Sequence, residues 1–166
     1  MSANHEEPDA AVWFYRTVVE PTVAEFLSKP DDIRLGCLAC IALSSMVEHY
    51  FHARRQELQG QNAQDLRRSL ASKSAVEIVF DVANAAKHVV PARKREIDFK
   101  AASTILNLDE DTYKYENPDD PKIDFEDLKL YMGSYVMVDV GKGLYCILEA
   151  QVKSANQMWR AKLGLE

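Results

Sequence analysis

The sequence predicts a mainly α protein: a helical bundle of four to five helices with a small β-hairpin inserted before the C-terminal helix. Three observations predict it. Apolar residues recur at spacings of three and four along most of the first half and again at the C-terminal end. Pro, Gly and capping residues punctuate these runs at ordinary helix lengths. The clearest β-rich runs lie together, on either side of Gly133-Ser134. At 166 residues the chain reads as one domain over 1–166.

The first helix is EPDAAVWFYRTVVEPTVAEFLSKP, with Pro8 near its first turn, where a missing N–H costs little. Val12, Tyr15, Val19, Val23 and Phe26 form its apolar stripe, and Trp13 and Phe14 read as packing residues. Pro21 lies inside the stripe, so the helix kinks there or splits after Val19. Pro30 closes the segment. The second helix is DDIRLGCLACIALSSMVEHYFHARRQEL, capped by Asp31 or Asp32. Its first half is apolar nearly all round, which predicts a central position. Gly36 lowers helix propensity and permits close packing with a neighbour. The stretch 33–47 is too short to span a bilayer, so no membrane partner is expected. Cys37 and Cys40 are spaced Cys-x-x-Cys, but inside an apolar helix they read as buried thiols, not a redox pair.

NAQDLRRSLAS reads as a short helix capped by Asn62. The next helix begins at SKSAVE, where Ser74 and Glu77 have capping-box spacing, and runs to about Val90 before Pro91. From 91 to 141 the character changes. ENPDDPKIDFEDL is a loop; LKLYM and YVMVDV flank Gly133-Ser134 as a type II′ hairpin. The residues of ASTILNL do not separate strand from helix. The last helix, KGLYCILEAQVKSANQMWRAKLG, aligns Leu144, Ile147, Leu148, Val152, Ala155, Trp159 and Leu163. Trp159 packs in the core or at a dimer interface.

Composition narrows the function classes. Hydrophobic residues make up 47% and charged residues 28%, and the net charge is −6. That balance excludes wholesale electrostatic binding of nucleic acid but leaves room for a local basic patch. Three cysteines favour reduced thiols and a cytoplasmic setting. The start, MSANHEEPDAA, is acidic and lacks an apolar h-region, so no secretory leader is expected. No P-loop, Gly-x-Gly-x-x-Gly or Gly-x-Ser-x-Gly stretch is present.

The sharpest feature is a polar line in FDVANAAKHVV. At about 100° per residue, Glu77, Asp81, Asn84 and His88 fall within a ~60° arc, with Lys87 to one side. Nearly everything else between 75 and 90 is Ala, Val, Ile or Phe. Ser45, Glu48, His49 and His52 make a similar line on the second helix. Antiparallel packing of the two helices would let the lines face each other across a cleft and satisfy one another's hydrogen bonds. A single polar line usually marks a solvated face. Such a face more often carries Lys, Glu and Gln than Asp, Asn and His.

The stretch ANAAKH resembles the signature of the HEPN superfamily (higher eukaryotes and prokaryotes nucleotide-binding). Asn84 to His88 match its Asn-x-x-x-His, and Ala83 stands where the family has Arg. The chain is also similar to uncharacterised bacterial proteins in which Asn-Ala-x-Lys-His precedes a β-hairpin and a Trp-containing final helix. The resemblance implies a small helical bundle, often a homodimer, with RNA or a nucleotide as partner and no cofactor. It further implies metal-independent ribonuclease action, or a catalytically silent binding or scaffold role, within defence or toxin–antitoxin biology. His88 would then be general acid or base toward a ribose 2′-hydroxyl or leaving oxygen, with Asn84 orienting it. Lys87, or one of Arg93, Lys94 and Arg95, would replace the missing positive charge. Asp81, Glu48, His49 and His52 would line the substrate site.

Two other readings stand beside this one. Glu48, His52, Asp81 and His88 are of the types that hold zinc, iron or manganese, which would make the chain a metal-dependent bundle enzyme. The second is a plain protein-interaction module whose polar line is simply wet.

Overall fold

The computed structural model describes residues 9–87, 105–108, 133–141 and 144–165. These form a mainly helical bundle with a small antiparallel sheet before the last helix, the architecture expected. His88 and the basic group Arg93, Lys94 and Arg95 lie outside the described residues, as does LKLYM.

The first helix is split in the way Pro21 requires. α1 (Ala10–Phe14) passes into a π turn at Tyr15–Val19, and α2 (Glu20–Ser28) follows with Pro21 in its first turn. A proline ring inside an α-helix collides with the carbonyl four residues back. The wider turn, closed by the Glu20 N–H on the Tyr15 carbonyl, ends just before that ring. The Thr22 hydroxyl donates to the Val18 carbonyl at 2.6 Å, giving it a partner. Asp9 caps α1 by accepting from the Ala11 and Val12 N–H groups, and also pairs with Arg54. Trp13 corrects the sequence reading: it is 55% exposed, whereas Phe14 packs half-buried against the core.

α3 (Ile33–Ala53) is the central element, capped by Asp32, whose carboxylate accepts from the Leu35 N–H at 3.0 Å. Gly36 allows a close approach between α3 and its neighbours. A β-carbon there would stand 2.9 Å from Leu148 Cδ2 and 3.2 Å from Phe26 Cε2. α4 (Ala63–Leu70) opens with a full capping box between Asn62 and Asp65 and buries Leu66 and Leu70. α5 (Ser74–Lys87) starts at Ser74 itself, because the Val76 and Glu77 N–H groups both donate to the Lys73 carbonyl. The helix therefore begins one residue earlier than a Ser74 N-cap would place it.

The β element departs from expectation in register. β1 (Ile105–Leu108), β2 (Gly133–Gly141) and β3 (Leu144–Ile147) form an antiparallel sheet in the order β1-β2-β3. Gly133 and Ser134 are not a turn: they lie inside β2, opposite Leu108 and Asn107. The hairpin joins β2 to β3, with Met137 opposite Ile147 and Gly141 opposite Leu144. The stronger turn signal is Gly141-Lys142-Gly143, and Leu144 to Ile147 belong to a strand instead of the last helix. That short run fits either period, and its aromatic and β-branched content favours strand. ASTILNL is settled as strand at 105–108. Val136 and Val138 face the core, and the Val136 N–H donates to the Pro30 carbonyl at 3.0 Å, tying the sheet to the α2–α3 turn.

α6 (Leu148–Leu163) buries Leu148, Val152, Ala155, Trp159 and Leu163 along one face. Gly164 closes it in the left-handed conformation, with φ of 66°. Trp159 is fully buried, and its indole N–H donates to the Leu43 carbonyl at 3.1 Å. Burying a ring of this size contributes roughly 4 to 6 kcal/mol of transfer free energy. Trp159 therefore belongs to the core of its own chain, which removes the dimer-interface reading of that residue.

Candidate functional site

The polar line of α5 lies at the margin of the core. Val76, Val79, Phe80, Val82 and Ala83 are buried, while Glu77, Asp81 and Asn84 are half-buried beside them. Ala86 and Lys87 are exposed on the last described turn. Ala83, which stands where the resembling family has Arg, is fully buried, so position 83 faces the packed side of the helix.

The line is covered from α4. Arg67 Nη2 lies 3.4 Å from Asn84 Oδ1, and its guanidinium sits over the Phe80 ring, 4.4 Å from the centroid. Arg67 is itself half-buried. Glu77 and Asp81 are likewise engaged. The α5 line is thus neither a freely solvated face nor a free row of groups. The local sequence explains Arg67: the Asn62–Asp65 capping box fixes where α4 starts, and Leu66 and Leu70 pin its inner face. Arg67, next to Leu66, then comes to the edge of that face.

The α3 line goes elsewhere. Glu48 and His52 are exposed, and His49 stacks on Phe14 of α1 with 3.6 Å between ring centroids and 10° between planes. Burial lowers the His49 pKa below its ordinary value, and neighbouring His52 lowers it further, while Glu48 opposes both. Ser45 donates to the Ile41 carbonyl of its own helix at 2.8 Å. Ser45 and His49 thus find partners on α3 itself and on α1. Packing of α3 on α5 leaves the α3 line on its outer side and turns the α5 line toward α4.

Among the described residues no group of three or more His, Cys, Asp and Glu side chains comes together as a metal site. Glu48, His52 and Asp81 are not gathered, and the fourth residue of that reading, His88, lies outside the described residues. Cys37, Cys40 and Cys146 are free. Burial raises all three thiol pKa values, that of fully buried Cys40 most, so none is poised as a thiolate. Among the described residues no helix is long and apolar enough to cross a membrane.

Sequence reasoning missed Arg67. It sought the positive charge close to His88 along the chain, at Lys87 and in 93–95. The available signal was the short amphipathic helix itself, capped at Asn62 and placed between the two lines. No family model, curated protein or solved structure matches the chain.

Proposed function

We propose that the chain is a HEPN-like helical protein acting as a nucleic-acid- or nucleotide-related module, with its site along α5 around Asn84 and the adjoining His88. One observation supports this above the others. The guanidinium of Arg67 lies beside Asn84, so a permanent positive charge stands next to the motif even though position 83 is a buried Ala. A planar guanidinium on an aromatic ring is well suited to phosphate oxygens, and Phe80 holds it in place. In this reading Arg67 and exposed Lys87 bind phosphate, and Asp81 and Asn84 position the site. His88 moves the proton, with Arg93, Lys94 and Arg95 adding charge near it. The free thiols fit a cytoplasmic location, and a homodimer goes with the same reading.

Fluorescence anisotropy with a labelled single-stranded RNA, followed by gel analysis of the same mixtures, tests it. Arg67→Glu is expected to weaken binding by at least about tenfold, and binding should fall steeply with salt. His88→Ala should keep binding and abolish any cleavage. Wild-type protein that binds neither RNA nor nucleotide, or cleavage unchanged in His88→Ala, would overturn the proposal in its binding or its nuclease form respectively.

A further inference from the structure

Arg67 dictates which way the Asn84 side chain faces. A guanidinium donates hydrogen bonds and accepts none. The Asn84 atom that Arg67 Nη2 approaches at 3.4 Å is therefore the carbonyl oxygen, Oδ1. Turning the amide over would set its NH2 group against the guanidinium, donor against donor. The guanidinium is itself held in place over the Phe80 ring, 4.4 Å from the centroid, and Phe80 is 3% exposed. Phe80 lies one turn before Asn84 on the same helix, so ring, guanidinium and amide form one fixed group.

The consequence falls on the other branch of the amide. With Oδ1 turned to Arg67, Nδ2 and its two N–H groups face away from that side chain. The bond to Arg67 is the one hydrogen bond of the Asn84 side chain among the described residues. Asn84 is only half-buried, and among the described residues no buried side-chain nitrogen or oxygen lacks a partner, so Nδ2 is open to solvent. Charge along α5 changes sign at this point. Asp81 and Glu77, both engaged, lie one and two turns before Asn84, and exposed Lys87 lies one turn after it. An anion meeting Nδ2 is repelled on the Asp81 side and attracted on the Lys87 side. The edge of a nucleobase mixes donors with acceptors, whereas a phosphate oxygen only accepts and carries the charge that Lys87 favours.

Resting on the nucleic-acid reading of this site, we infer that Asn84 binds the RNA backbone directly, donating from Nδ2 to a non-bridging phosphate oxygen whose charge Lys87 meets. Arg67 locks the amide with its donors outward. A contact of this kind carries no base information, so it serves RNA of any sequence. It also distinguishes Asn84 from a mere structural partner of Arg67: support of the guanidinium requires the amide oxygen, and RNA binding requires the amide nitrogen.

Asn84→Asp separates the two roles, because it keeps an oxygen for Arg67 and removes both donors. Fluorescence anisotropy with single-stranded oligo(U) and oligo(A) RNA reads the result. Ala86→Asp controls for an added charge at an exposed position on the same turn. Asn84→Asp should weaken binding by at least about tenfold and Asn84→Ala by about three- to tenfold, to the same extent for both RNAs. Ala86→Asp should weaken it by less than about threefold. The melting temperature of Asn84→Asp should be no lower than that of wild type, since a carboxylate pairs with a guanidinium at least as well as an amide does. Wild-type affinity in Asn84→Asp, a loss no greater than that of Ala86→Asp, or a loss confined to one RNA would overturn the inference and leave the nucleic-acid reading standing. A wild type that binds neither RNA would end that reading, and the inference with it.

Discussion

Two helices carry polar lines of similar spacing, and the bundle treats them in opposite ways. On α5, Glu77, Asp81 and Asn84 are half-buried and engaged, with Arg67 reaching over from α4. On α3, Glu48 and His52 open to solvent, while Ser45 turns back onto its own helix and His49 is drawn against Phe14. Each line has an aromatic floor: Phe80 beneath Arg67, and Phe14 beneath His49. Periodicity fixes which residues share a face; the neighbouring helix decides whether that face becomes a lined edge or an outer wall.

The sharpest break of this comparison is at the two aromatic floors. Phe80 is 3% exposed, so Phe80→Ala should cost about 3 to 5 kcal/mol in urea unfolding. Phe14→Ala, at a half-buried position, should cost only about 1 to 2 kcal/mol. Equal losses would mean that the two floors are equally embedded.

Arg67→Ala comes next. It removes a guanidinium from an aromatic face and from Asn84, and should cost about 1 to 2 kcal/mol. Arg67→Lys should recover little of this, because an ammonium lacks the planar fork. On the α3 side the corresponding test is pH. The folded-state pKa of His49 is depressed, so its stabilising contribution is complete above the ordinary value of 6.5 and is lost as pH falls through the folded value. Wild type should lose more thermal stability than His49→Gln between about pH 7.5 and about pH 5. A parallel decline in both would assign the acid sensitivity to other groups. The smallest effect should be His52→Ala, at an exposed position, within about 0.5 kcal/mol by the same unfolding measurement at dilute concentration.

Much of the fold was legible because its signals are local. Asp32 and Asn62 cap the helices that follow them, Pro21 divides the first helix after Val19, and Gly36 marks a close approach. The β register was not, because Gly133-Ser134 and Gly141-Lys142-Gly143 are competing turn signals and the choice depends on which strands pair. β1 comes from far upstream of β2, and nothing local announces that pairing. The same limit applies to the site. Asn84 and Asp81 were found by periodicity along one helix. Arg67 was missed because it reaches Asn84 from another helix, seventeen residues earlier in the chain. Trp13 was misplaced for a related reason: its own helix turns outward a residue whose type usually packs.

The widened turn at Tyr15–Val19 has a consequence for how the first helix keeps its bearing. Ala11, Tyr15, Val19 and Val23 are all buried and each lies four positions after the last. In an uninterrupted α-helix a step of four overshoots a full revolution by about 40°, so three such steps would swing Val23 well off the face that Ala11 occupies. One extra residue per revolution in the π turn absorbs that drift. Closing that turn as ordinary α with every residue kept would rotate everything from Glu20 to Ser28 out of alignment and carry Val23 and Phe26 away from the seam where Phe26 meets Gly36, whereas deleting a single residue there would let an ordinary α turn form with Val23 still within about 20° of Ala11.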